Sequence, residues 1–287
     1  MDSMVHTSSA FTHGCNDCRA CFDGPQPAWH SVDRKSYEVK NHRWLLRANP
    51  AYWGSSAPEI LVLGFSKGSE QNRLIDRHLA SPRSGVRFED IPFNDDKRRM
   101  RSNLKKLLVA MGLLGETAPI DALFKPTEKV FGFASLVRCS VAYAKPGSAE
   151  FVMQGAQITR NTLRQRPEFV RTCIKRHLSV LPNSVKLAIV LGATTDYVAD
   201  VMEMLGGIPD FPGEDCSYAY HVGETQVIHV PHPSGGNSGS VDVFASVRPP
   251  TTESHSEKNI PECRRQVDAV LADMSRSSVA DRELAHA

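Results

Sequence analysis

The chain of 287 residues has no run of 18 apolar residues, and its first 14 residues hold neither a charged leader nor an apolar stretch. A membrane-spanning helix and a secretory signal are therefore not expected, and a cytoplasmic protein is. Neither charge sign is in surplus: 34 basic residues face 32 acidic ones, for a formal charge of +2 and a pI near 8.2. That balance permits a polyanionic partner without requiring one, so local clusters must decide. No internal repeat is visible. Cysteines are few and odd in number, seven in all. In a reducing compartment such a set does not form a disulfide framework, and grouped cysteines point to metal or redox chemistry.

What is present is a core of ordinary size, 41% apolar, enough for one α/β domain. Apolar β-branched runs at Ile60 to Leu63, Val130 to Val137, Leu187 to Leu191 and Val227 to Val230 read as four strands. Leu104, Leu107, Leu108 and Met111 recur at helical spacing before Gly112, as do Val170, Ile174, Leu178 and Leu181, and then Val198, Val201 and Leu205 before Gly206 and Gly207. Strands alternating with helices predict a three-layer α/β/α fold around a four-stranded, mainly parallel sheet. Residues 1 to 14 and the Gly/Ser/Pro-rich segment 234 to 259 read as loop or disorder. The organisation expected is a disordered 1–14, a domain over 15–247, and an extension over 248–287 with an amphipathic helix from about Glu262 to Met274.

Cys15, Cys18 and Cys21 form C-x2-C-x2-C, a spacing that brings thiolates to one small centre. A ferredoxin-type run would place another cysteine at position 25, where Pro25 stands, so a remaining ligand must come from far along the chain. Cys139, at the end of the second strand, and Cys173, in the following helix, are the candidates. Either can equally be a small buried apolar residue. The triplet lies in a polar segment with no core to fill. Four thiolates suit zinc as well as an iron–sulfur cluster.

Together with the strand order, the segments CNDC at 15–18, SLVRCS at 135–140 and TCIKRHLSVLP followed by KLAIVLGAT resemble family four of the uracil-DNA glycosylase superfamily. The similarity runs from about Cys15 to Asn237. It implies a [4Fe-4S] cluster, with zinc the alternative, held by Cys15, Cys18, Cys139 and Cys173, Cys21 substituting for one of them if the register differs. The interval from Cys139 to Cys173 is longer than the family's and implies an insertion around Tyr143 to Arg164.

The resemblance extends to VPHPSGGN, where His232, Pro233 and Ser234 look like the superfamily's His-Pro-Ser motif after the last strand. A histidine there can donate a hydrogen bond to uracil O2 as charge develops on the departing base. Gly235, Gly236, Asn237 and Ser238 would form a flexible loop pressing on the minor groove. LVLGFSKGSEQN occupies the place of the family's water-positioning loop: Gly64 and Gly68 fit, but Phe65 stands at the acidic position and Lys67 at the proline. Ser66, backbone groups or Glu70 are left to hold the water. Phe93, with Phe88 second, corresponds to the aromatic that stacks on the flipped base. Ser135 falls near the uracil-reading asparagine, with Asn94 and Asn237 as replacements.

KRRMRSNLKK at 97–106 and the basic residues Arg160, Arg164, Arg166, Arg171, Lys175 and Arg176 provide two stretches that could meet phosphates. A charged helix face is also explained by solvation alone. The function expected is a monomeric glycosylase acting on uracil in single- or double-stranded DNA. A catalytically weak nucleic-acid-binding relative is the second reading. The third is an unrelated α/β enzyme with a structural zinc site, using GFSKG as an anion-binding turn, although that turn lacks the Gly-Lys-Ser/Thr of nucleotide-binding loops.

Overall fold

The computed structural model describes residues 11–15, 18, 20–21, 31–33, 38–40, 43–81, 84–94, 99–144, 147–148, 150–153, 156–251, 254 and 256–284. The expectation of disorder over 1–10 and the basic residues Lys97 and Arg98 lie outside them. In chain order the elements are β1 (Gly14–Cys15), β2 (Ser31–Asp33), β3 (Glu38–Lys40), β4 (Trp44–Arg47), β5 (Ala51–Gly54), β6 (Ile60–Gly64), α1 (Ser69–Ala80), α2 (Arg99–Ala110) and β7 (Phe131–Ser135). They continue with β8 (Ser140–Ala144), β9 (Phe151–Val152), α3 (Ala156–Gln165), α4 (Glu168–His177), β10 (Leu187–Leu191) and α5 (Thr195–Leu205). The last are β11 (Ile208–Pro209), β12 (Ala219–Val222), β13 (Thr225–Val230), α6 (Ser238–Phe244) and α7 (Ile260–Leu284). None of the described helices is long and apolar enough to cross a membrane.

The fold is α/β, and the chain divides into two compact units: residues 1–94 with 121–187, and 95–120 with 188–287. In the first unit β1, β5, β7 and β6 are neighbours in that order. β6 and β7 run parallel from Ile60↔Phe131 to Gly64↔Ser135, while β5 is antiparallel to β7 and β1 to β5. Leu61, Val62, Leu63, Tyr52, Phe131 and Phe133 are buried there, each worth roughly 1.5–3 kcal/mol on removal from water. Gly132 has no side chain because Tyr52 lies against it; a methyl group would collide with that ring. A second sheet, β2-β3-β4-β8-β9, is antiparallel throughout and packs Trp44 onto Tyr143 and Phe169, with ring centroids 4.9 and 6.0 Å apart. The insertion expected around Tyr143 to Arg164 is the end of β8, β9 and α3.

In the second unit β10, β13, β12 and β11 are neighbours, with β13–β12 and β12–β11 antiparallel. The apolar stripe of α2 buries Leu104, Leu107 and Leu108. The helix ends as its Gly112 predicts: Gly112 has φ 70°, its N–H donates to Val109 O and that of Leu113 to Leu108 O. α5 ends the same way at Gly206 and Gly207. α7, the helix expected in 248–287, buries Ile260, Cys263 and Val267 within its own unit.

Three expectations are corrected. Each unit contributes four strands to its main sheet rather than two, because short strands of two to four residues carry no readable period. Residues 11–14 are ordered: Phe11 is buried edge-on to Tyr52 at 5.3 Å, and Gly14 pairs with Tyr52 in the sheet. The segment 234–259 contains α6, whose Val241 and Phe244 lie three residues apart and are both inaccessible to solvent.

Candidate metal centre and histidine loop

The cysteine centre lies within the first unit. β7 ends at Ser135, and the chain continues beside the 64–68 loop, with Leu136 N–H donating to Gly64 O (2.8 Å) and Val137 N–H to Phe65 O (2.9 Å). Arg138 and Cys139 follow, and α4 presents Cys173 and His177 from its buried face. One small cavity is lined by Cys18, Cys21, Cys139 and Cys173, together with Ala20, Arg138, Thr172, Arg176 and His177. The N-terminal pair on this cavity is thus Cys18 and Cys21. Cys15 is exposed, sits in β1 opposite Ala51, and is not in the lining.

The electrostatics show the same grouping. Burial pushes the Cys21 thiol well up, and Cys139, Cys173 and Cys18 add to the shift. Burial likewise raises Cys139 to about 12 against the pull of the Lys67 ammonium, and raises Cys173 against a backbone N–H bond from Arg138. That Arg138 N–H lies 3.2 Å from Cys173 Sγ. For Cys15, crowding by surrounding protein atoms raises the thiol although the residue keeps surface open to solvent, and Lys67 opposes the shift.

Two cations are enclosed with these thiols. Lys67 is fully buried and donates to the Arg138 carbonyl oxygen. Arg138 is 1% exposed, and Nε and both terminal nitrogens have no hydrogen-bond partner among the described residues. Its guanidinium lies against the Phe11 and Tyr52 rings, 5.5 and 5.8 Å from their centroids. Burial lowers Lys67 to about 8 and lowers Arg138 also. His177 is buried with Nε2 unpartnered and is lowered to about 4, by burial first and then by Arg138 and Arg176.

Among the described residues, no three His, Cys, Asp or Glu side chains are grouped as around a metal ion. The fit rests on the donor set: four thiols on one cavity, an amide donor already on one sulfur, and beside them a buried guanidinium whose N–H groups lack acceptors among the described residues. Cationic donors that cost several kcal/mol to enclose alone fit a thiolate-held group carrying surplus negative charge. Sequence reasoning missed Lys67, Arg138 and His177 as members of this centre.

The other residues singled out in the first unit are distributed as follows. Gly64 ends β6, Phe65 is buried, Ser66 is half-buried and Gly68 caps α1. Glu70 gives both carboxylate oxygens to Arg73, at 2.8 and 2.5 Å. Phe93 is buried with φ 51°, an unusual conformation for an aromatic residue, and is held 5.8 and 5.9 Å from the Phe124 and Phe133 rings. Phe88 is stacked on Trp53 at 5.1 Å, Asn94 Nδ2 donates to Asp90 O, and Ser135 is buried opposite Gly64.

The histidine loop lies within the second unit, after β13. Ser234 N–H donates to His232 Nδ1 at 3.2 Å, and Asn237 Nδ2 donates to His232 O at 2.9 Å. Residues 235–237 form a single 3-10 turn leading into α6, so the flexible loop expected here is an ordered corner. Asn103 of α2, which sequence reasoning did not single out, is buried and anchors it: Nδ2 donates to Pro233 O and to Ser238 Oγ, each at 3.0 Å. Crowding by protein atoms pulls His232 down to about 4, although the residue keeps some surface open to solvent. The ring is neutral at physiological pH. With Nδ1 accepting from Ser234, its proton is on Nε2.

Searched against protein-family models and against curated proteins, the sequence finds no match.

Proposed function

We propose that this chain is an iron–sulfur DNA glycosylase that hydrolyses the N-glycosidic bond of a flipped-out deoxyuridine, a step of base excision repair. The observation that carries the chemistry is His232, a neutral imidazole whose Nδ1 is occupied by the Ser234 N–H, leaving Nε2–H as its donor. Such a donor stabilises negative charge on a departing base without adding a cation in the ground state. The loop is tied through Asn237 and Asn103, so the donor is preorganised rather than found by search.

Cys18, Cys21, Cys139 and Cys173 would hold the [4Fe-4S] cluster. The cluster would supply a structural clamp between the chain after β7, α4 and the N-terminal segment. Exposed Arg160, Arg164, Arg171, Lys175 and Arg176 on α3 and α4 would meet phosphates beside it. Phe93 is the stacking candidate of the first unit, its conformation fixed by the aromatic cluster under it, with Ser135 and Asn94 the polar candidates there; Ser234 and Asn237 are the polar candidates of the second unit. Because Glu70 is committed to Arg73, we assign the attacking water to Ser66 and the backbone of 64–68. Base departure would then run ahead of water attack. The same commitment favours, as a second reading, a relative that binds uracil-containing DNA without cleaving it.

Purified protein should absorb near 400 nm and convert uracil-containing DNA to abasic product. His232→Ala should keep the absorption and lose excision by about 100–1,000-fold, the usual cost of one transition-state donor. No abasic product from the wild-type, cluster-bearing protein would overturn the glycosylase assignment, and near-normal excision by the variant would overturn the role of His232.

A further inference from the structure

Lys67 and Arg138 are both inaccessible to solvent, and neither takes part in a carboxylate ion pair among the described residues. Lys67 Nζ donates to the Arg138 carbonyl, and among the described residues the three Arg138 guanidinium nitrogens have no acceptor. Arg138 lines the cavity with Cys18, Cys21, Cys139 and Cys173, its backbone N–H lies 3.2 Å from Cys173 Sγ, and Lys67 is tied to the same stretch of chain through the Arg138 carbonyl. Aromatic faces from Phe11 and Tyr52 cover Arg138 but take none of its N–H groups. An enclosed guanidinium with every donor unmet is among the costliest arrangements a core can hold. Four thiolates around a doubly charged metal core leave two surplus negative charges, whether the core is iron–sulfur or zinc.

We infer that Lys67 and Arg138 are the built-in counter-charges of the thiolate-held centre. Arg138 directs its N–H donors at the sulfur atoms, and Lys67 ties occupancy of the centre to the position of the 64–68 loop. This rests on the reading of the cysteines as a metal centre. Both residues are positioning residues. Lys67 belongs to the loop after β6, and its ammonium reaches the chain after β7, so the charge that stabilises the centre also fixes this loop.

A counter-charge has a signature that an ordinary buried side chain lacks, because removing it has opposite effects with and without the metal. Arg138→Met keeps the bulk and deletes the charge. In the loaded protein, metal loss to an excess of chelator should speed up about tenfold or more, the scale of losing charge-assisted hydrogen bonds. In chelator-stripped protein the same substitution should raise the melting temperature, since an uncompensated buried cation is gone. Lys67→Met should behave alike, and Lys67→Arg should restore metal retention. Where stripped protein does not fold, the rate of loss decides alone. Wild-type rates of metal loss in both methionine variants would overturn the counter-charge role while leaving the metal centre standing. A wild-type protein that binds neither iron nor zinc would overturn both.

Discussion

Replacing Asn103 by alanine isolates the link between helix packing and the histidine loop. Asn103 is 5% exposed, and its Nδ2 makes 3.0 Å bonds to Pro233 O and Ser238 Oγ. Alanine removes both bonds and leaves the Pro233 carbonyl buried without that donor. A lost hydrogen bond of this kind costs about 1–3 kcal/mol, the upper range applying where the abandoned partner is buried. Two bonds from one side chain put the total at roughly 2 kcal/mol, because Ser238 retains its own bond to Gly235 O. The melting temperature should then fall by about 4–8 °C, as followed by circular dichroism. Asn103→Asp is more informative: its carboxylate cannot donate to the Pro233 carbonyl and faces it with like partial charge, so it should be less stable than alanine. Excision should fall in both variants, since His232 is held by the same corner through Asn237 and Ser234. An unchanged melting temperature in the alanine variant would refute the anchoring role. A destabilised variant with wild-type excision per folded molecule would refute the coupling of anchor to histidine.

Glu257 accepts from Arg248 at 2.6 and 3.0 Å and from the Thr251 N–H and hydroxyl at 2.9 and 3.0 Å, and these bonds, Arg248 foremost, hold its carboxyl near 2 rather than 4.5. A carboxyl depressed on folding stabilises the folded state above its unfolded value and loses that contribution as pH falls through the folded one. The melting-temperature gap between wild type and Glu257→Gln should therefore be widest above pH 4.5 and close toward pH 2; a gap independent of pH would count against the assignment. Among the cysteines, Cys21→Ser should lower metal content as severely as Cys139→Ser, and Cys15→Ser should leave it near wild type, by metal analysis of purified protein. The opposite pattern would restore Cys15 with Cys18 as the N-terminal pair.

Much of the fold was legible because long apolar runs and helical periods survive in the sequence as they do in space. The four runs became β6, β7, β10 and β13, and the three periods became α2, α4 and α5. What escaped lacked that signal. α1 reads SEQNRLIDRHLA and buries only Asn72, Leu74 and Ile75, too few apolar residues to mark a stripe. α6 begins in a Gly/Ser-rich stretch whose composition argues for a loop, and only burial of Val241 and Phe244 against α2 and α7 makes it a helix. Tertiary packing overrode local preference there.

The candidate site divides along the same line. Cysteine identity and the position of His232 were readable, because a thiol in a polar segment and a histidine after a strand stand out from their surroundings. Lys67 and Arg138 were not, because a basic residue in a sequence is read as solvated and is almost never enclosed without a partner. The N-terminal pair was placed at Cys15 and Cys18 by resemblance, with Cys21 as substitute, and spacing could not test that choice: Cys15–Cys18 and Cys18–Cys21 have the same interval. What separates them is pairing. β1 fixes Cys15 opposite Ala51 at the sheet, whereas Cys18 and Cys21 line the cavity with Cys139 and Cys173. On the proposed metal centre, the N-terminal ligands would thus be selected by Phe11 and Gly14, which dock the segment on Tyr52, and not by the cysteine motif itself.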